Sequence, residues 1–544
     1  MNGGGEMPLD AATLTEARRA LRQAHGRERL ELILGSENPA ALVHALPADE
    51  LYFTVCETGL ADAATLVQLA TPEQFRIFLD LASWRGDRVK PREALPWLRA
   101  ARAGYLESPA AEARFRAKVE GLDLEFLDLV LRASLEVHDL EDEEDPLLES
   151  ERFMRTPEGR FIVEFKVDGA EYASVRGLLD DLFALDPFRA TRLLSSIRWE
   201  LPSELEETAL RWRSGRLADL GYPPRAEALS WFSRPLPGAT EAPAGLPSRP
   251  GGFFLERFGL GSLLARAAGQ LTQTERDRLE LDLVTASNAA LVADLVDLQD
   301  LEAVRRAVEM ARAFVEMGLA EASAGDEARA SEIVARTPVK TLFQRGFGQV
   351  LALKWQAERL FASGRAGSPA TPFFDPPLGE ALSALARRRP LYFPGLDEPR
   401  ERWGSPYEAA LEARPFANAL EVARTRDALA LAEGLSSLAD RLGLGPRGEG
   451  PLAPRLSTLY LTALAHERLG RPFAPAPLFA RDLVPAAHAL RALDDARLAG
   501  PGEAERLLAA LVRAKDEELA QLREGHVPAA EQVSALWVSA PDGP

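Results

Sequence analysis

The chain has a single cysteine, Cys56, in 544 residues. An internal disulfide is excluded, and such sparing use of thiol fits a reducing compartment. Cys56 stands among apolar residues in "LYFTVCETGL", where a thiol is expected to be buried and inert. Lysine is scarce as well: six of the 64 basic residues are lysine and the rest are arginine. With abundant Ala, Gly and Pro, that bias fits GC-rich codon usage. A selected preference for bidentate contacts to phosphate or carboxylate is the sharper alternative. No run of about 18 apolar residues occurs, so no membrane span is expected. The opening "MNGGGEMPLD" lacks the basic start and apolar segment of a secretory signal, and the expected location is the cytoplasm.

Other absences narrow the chemistry. There is no P-loop. In "FGLGSLLARAAG", Gly259 and Gly261 are followed by Leu264 where a dinucleotide fingerprint needs its third glycine. That stretch reads as a helix start. The histidines are His25, His44, His138, His466, His488 and His526; none is paired at helical metal-ligand spacing and none adjoins the cysteine. No Gly-x-Ser-x-Gly elbow is present. The reading therefore assigns no catalytic residue, no metal ligand and no cofactor, and it leans away from an enzyme. Acidic residues number 83 against 64 basic, a formal charge of −19. A field of that sign repels phosphate backbones, so no nucleic-acid partner is expected.

What the chain does contain is helical patterning. Hydrophobic residues make up 46% and charged residues 27%, ordinary globular usage. The length corresponds to about three packed units. "LTEARRALRQAHGRERLELILGS" places Leu14, Ala17, Leu21 and Ala24 at steps of three and four. Thr71-Pro72-Glu73-Gln74 is a helix start, with Thr71 as cap, Pro72 in the first position and Gln74 at capping-box distance. Phe343, Phe347, Val350, Ala357 and Phe361 mark one face of a long helix. One stretch differs: Phe161, Val163, Phe165 and Val167 alternate, and Asp168-Gly169 follows as a turn pair. The expected fold is mainly α, a stack of helical units that could form a superhelix, with one small β-hairpin near 160–175.

The organisation follows from composition. A helical unit is expected over 1–145, ending in the acidic run Glu141 to Asp145. A hairpin and helical unit follows over 146–232. Residues 233–252, "SRPLPGATEAPAGLPSRPGG", read as a Pro/Gly linker. A central helical unit over 253–365 precedes an aromatic, loop-rich region at 366–406, which is expected to pack rather than float. A last helical unit spans 407–525, and 526–544 is a weakly patterned tail. "PREALPWL" from Pro91 and "PPRAEALSWF" from Pro223 share a signature. Either the second unit duplicates the first, or two helices arrived at one good way to begin.

Three phrases resemble an uncharacterised bacterial family, a domain of unknown function, over nearly the whole chain. They are "LPADELYFTVCETGLADAATLVQLATPEQFRIFLDLASWRGDRVKPREALPWL", "IRWELPSELEETALRWRSGRLADLGYPPRAEAL" and "LFQRGFGQVLALKWQAERL". The resemblance implies no activity and no residue roles. The helix starts "LPADE" and "TPEQ" are also similar to the cytosolic helical domain of MgtE-type magnesium transporters, over the first hundred or so residues. That resemblance would imply ligand sensing or partner contact by a superhelix, without the membrane domain.

Two arginine-rich stretches are the candidate contact sites. Arg211, Trp212, Arg213 and Arg216 lie in a segment that also holds Arg198, Trp199, Tyr222, Arg225 and Trp231. Guanidinium groups over aromatic faces can take phosphates, carboxylates or bases. Pairing with the interleaved Glu204, Glu206 and Glu207 explains the same composition structurally. Arg387, Arg388, Arg389 and Tyr392 form the second, read as an exposed basic loop or a helix C-terminal cap. The leading expectation is a scaffold or adaptor that binds another protein. A regulatory module sensing a divalent cation or small anion is the alternative, through the acidic run or the Arg/Trp segment. An enzyme of unrecognised type is the third reading. The sequence sets no homo-oligomeric state.

Overall fold

The computed structural model describes residues 17, 20, 21, 24–143, 145–234, 262–405, 410–448, 453–524 and 533–539. The expected linker beyond Arg234, Gly259, Gly261, Glu144, His526 and most of the tail lie outside the described residues. The architecture is mainly helical, with two small antiparallel sheets. The chain divides into two compact units, Met1–Arg312 with Gly325–Thr341, and Ala313–Ala324 with Leu342–Pro544.

In the first unit, short helices follow one another and proline starts many of them. Pro39, Pro72, Pro91, Pro109, Pro187 and Pro202 each occupy the first turn of a helix, where the missing N–H would have no partner anyway. The Pro72–Ala82 helix carries the expected capping box. Gln74 N–H donates to the Thr71 hydroxyl at 3.1 Å, and Thr71 N–H donates to the Gln74 side chain at 2.9 Å. Its buried Phe78 packs on Trp97 of the Pro91–Arg102 helix, and Tyr52 stacks on the same indole, 5.3 Å between centroids. These rings lie within one continuous apolar core.

The alternating stretch is a strand, Phe161–Phe165, with Phe161, Val163 and Phe165 buried. It is the middle of a three-stranded antiparallel sheet, between the Leu135–Asp139 and Phe153–Arg155 strands. The hairpin partner thus precedes the strand. The turn lies at 156–160, closed by Thr156, whose hydroxyl accepts from Phe161 N–H at 3.0 Å. Asp168-Gly169 does not turn into a second strand; it opens the Gly169–Leu185 helix. The reason is local: after Gly169, Val175, Leu178, Leu179 and Leu182 recur at helical spacing and are all buried. The Trp84–Arg85 and Arg88–Val89 strands make a second, minimal hairpin.

In the second unit, residues 313–323 of the Leu301–Ser323 helix cross the Val339–Ala362 helix at a pair of glycines. A Cβ on Gly318 would stand 1.9 Å from the Leu342 carbonyl oxygen, and one on Gly346 1.9 Å from that of Phe314. Only hydrogen fits there. Phe343, Phe347, Val350 and Ala357 of the long helix are buried as its periodicity predicts. The aromatic loops pack: Phe373, Phe374, Tyr392, Phe393 and Trp403 are buried. Asp375 anchors one of them, accepting from the Ser457 N–H at 3.0 Å and hydroxyl at 2.5 Å. Part of the tail returns to the core, since Leu536 is buried and Val538 pairs with Leu478 in a parallel bridge.

Candidate functional site

The Pro202–Asp219 helix divides the arginines of its segment between two sides. Arg211 and Trp212 are exposed. Arg213 and Arg216, three apart and so on one face, turn toward the Pro72–Ala82 helix. Arg216 grips the Asp80 carboxylate with two hydrogen bonds, 2.6 and 3.0 Å, and reaches Asp123 at 2.8 Å. Asp80 is buried, and desolvation holds its carboxyl above the ordinary range with Arg216 opposing. Arg216 is thus paired structurally, but with Asp80 and Asp123 rather than with the interleaved Glu204, Glu206 and Glu207.

Among the described residues Arg213 has no carboxylate within ion-pair reach, although the Asp80 charge acts on it. Its Nε–H donates to the Asp80 backbone carbonyl at 2.9 Å, and its guanidinium lies over the Trp84 ring, 5.1 Å from the centroid. Burial pulls its pKa down to about 10. Arg213 and Trp84 line a pocket of about 300 Å³, together with Tyr222, Arg85, Arg225 and Leu295. Burial, followed by the Asp49 charge, pushes the Tyr222 phenol above its usual range, and Arg213 opposes them. Arg85 is neutralised by Asp297. The indole N–H of Trp84 is buried without a hydrogen-bond partner among the described residues.

One wall is strained. The Gln273–Ala293 helix ends with Leu295 N–H on the Val292 carbonyl and Val296 N–H on that of Leu291. This cap needs a left-handed residue, normally glycine. Here Leu295 takes it, at φ 52°, and its side chain faces Gly86 across the pocket rim.

The other hollows are less suited to a ligand. A wider one of about 620 Å³ is lined by Arg102 and Tyr105. Both are committed to Asp181, Tyr105 by a 2.7 Å hydrogen bond. In the second unit, Arg387 and Arg388 are exposed at the end of the Leu378–Ala386 helix. Lys354 donates to the Arg387 carbonyl at 2.6 Å, so that helix end is already capped by a cation. Arg389 is half-buried, and Tyr392 is fully buried with its hydroxyl donating to Asp397 at 2.6 Å. The four do not form one exposed patch.

Among the described residues, no three His, Cys, Asp or Glu side chains are grouped to hold a metal ion. In the acidic run, Glu141 pairs with Arg160. His44 and His466 contact backbone carbonyls, and His138 contacts Glu164. Burial pushes the Cys56 thiol up to about 12. No described helix is long and apolar enough to cross a membrane.

Trp84, Arg85 and Leu295 escaped sequence reading. Trp84 and Arg85 sit in an unremarked "SWRGDR" turn, and nothing in "DLVDLQD" marks Leu295 as left-handed. The model of a family of unknown function (DUF6178) matches residues 6–537, so the chain belongs to that family. No curated protein and no solved structure matches the chain.

Proposed function

We propose that this family member is a docking protein without chemistry of its own, holding another protein against the outer sides of its Pro187–Trp199 and Pro202–Asp219 helices. One observation carries the reading. Trp199 and Trp212 are 58% and 54% exposed, against 37% for Trp355, while Trp84, Trp97, Trp231 and Trp403 are buried. Leu201, between the two helices, is also exposed. Arg198 lies over the Trp199 ring at 5.1 Å, and Arg211 precedes Trp212. Tryptophan and arginine are the residues that most often carry binding energy at interface centres. Large exposed aromatics cost solubility unless something covers them.

The test compares the native chain with the Trp199→Ser, Trp212→Ser double variant as bait in extracts of the native host. A protein captured by the first and lost by the second is then purified and titrated against both. Direct binding that weakens at least tenfold in a normally folded variant supports the reading. An unchanged set of captured proteins removes it.

A further inference from the structure

We infer that the pocket beside Arg213 binds a small organic anion with an apolar body, the anionic group meeting Arg213 and Arg225. This goes beyond the docking role, and a different part of the Pro202–Asp219 helix carries it. Leu210, Arg213, Ser214 and Leu217 line the pocket, whereas Arg211 and Trp212 are exposed.

Charge points to the ligand's sign. Arg85, Arg213 and Arg225 line the pocket against one carboxylate, Asp87. Arg85 is spent on Asp297. Asp80, whose charge also acts on Arg213, is held in two hydrogen bonds by Arg216. Among the described residues, neither Arg213 nor Arg225 has a carboxylate within ion-pair reach. A half-buried guanidinium without a directly paired counter-charge is costly, and an anion entering beside it recovers part of that cost. In a chain of charge −19, such a cationic recess is not what average composition produces.

The walls point to the ligand's body. Apart from the arginines, they are mostly aliphatic: Leu81, Leu210, Leu217, Leu291, Val292 and Leu295 among them. An aliphatic cavity of about 150 Å³ accepts a benzene. A pocket of about 300 Å³ therefore suits a single ring with a short chain. Trp84 also lines the pocket and is only 6% exposed. Leu295 supplies independent support. Its left-handed backbone costs about 1 kcal/mol or more relative to glycine, and strain of this kind gathers at ligand clamps. What the leucine provides there, and glycine would not, is an apolar wall.

The test is calorimetric titration of the full chain with 4-phenylbutyrate, 4-phenylbutanol and 4-phenylbutylamine. The acid should bind at least tenfold tighter than the alcohol, and the amine should give no heat. Arg225 is exposed, and its side chain makes no hydrogen bond or ion pair among the described residues, so Arg225→Gln should weaken the acid about tenfold and leave the alcohol unchanged. Leu295→Gly should melt at or above the native temperature yet bind both acid and alcohol more weakly. No heat with the acid, equal affinity for acid and alcohol, or an acid affinity unchanged by Arg225→Gln would each overturn the inference.

Discussion

The guanidinium of Arg213 stands 5.1 Å from the centre of the Trp84 ring, with its Nε–H on the Asp80 carbonyl 2.9 Å away. The cation thus clips the Pro202–Asp219 helix to the end of the Pro72–Ala82 helix. A cation–π contact contributes about 0.5–2 kcal/mol, and a net hydrogen bond about 1 kcal/mol. Arg213→Gln should therefore lower the urea-unfolding free energy by about 1–3 kcal/mol. Arg211→Gln, two residues earlier but exposed, should stay within about 0.5 kcal/mol of native. Equal losses would show that the two sides of the helix are not distinct.

Arg216 and Asp80 are coupled more strongly. Asp80 is buried, and Arg216 supplies both of its ionic hydrogen bonds. Arg216→Met strands the carboxylate and should cost about 3–5 kcal/mol. Asp80→Asn in the same chain should recover a large part of that loss. A double-mutant cycle in urea measures the coupling, and strictly additive losses would contradict it.

Asp49 gives the first unit a pH dependence. Its side chain is buried, one oxygen lacks a hydrogen-bond partner, and desolvation followed by the Glu50 charge raises its pKa from 3.8 to about 7. Between those values the folded chain holds a proton that the unfolded chain has released. Stability therefore falls as pH rises through that window. The full shift corresponds to a ceiling of about 4 kcal/mol. Asp49→Asn should flatten the decline between pH 5 and pH 8, measured by urea titration at each pH. A variant with the native slope would show that Asp49 does not cause it.

Two helical glycines should answer alanine in opposite ways. Gly215 has open space around its Cβ position, so Gly215→Ala should stabilise by about 0.5–1 kcal/mol through helix propensity. At Gly346 the new methyl would meet the Phe314 carbonyl at 1.9 Å. Gly346→Ala must push two helices apart and should cost about 3 kcal/mol or more. Thermal melts of both variants settle the comparison, and a neutral Gly346→Ala would refute the close crossing.

Cys56 should be inert in the folded chain. With its thiol raised to about 12 by burial, almost none is thiolate at pH 8, and the thiolate is the reactive form. Alkylation by iodoacetamide should proceed only in denaturant. Cys56 is half-buried rather than fully buried, and rapid labelling of the native chain would contradict the raised thiol.

The sequence by itself determined the helices, because their signals are local. Apolar spacing, proline in the first turn and the Thr71–Gln74 box all act within a few residues, and the structure shows each of them. Alternation likewise marked the strand at 161–165, but not its neighbours. Pairing is a long-range choice, and Leu135 reaches Phe165 only through the fold. The same limit governed the candidate site. Composition drew attention to Arg211, Trp212, Arg213 and Arg216 as one group; helix geometry and packing split them between solvent and interior. Arg213 meets Asp80 across 133 residues of chain, and Leu295 meets Gly86 from farther still. A pocket is made of surfaces from distant segments, so its walls, charge balance and strained leucine exist only once tertiary packing has brought them together.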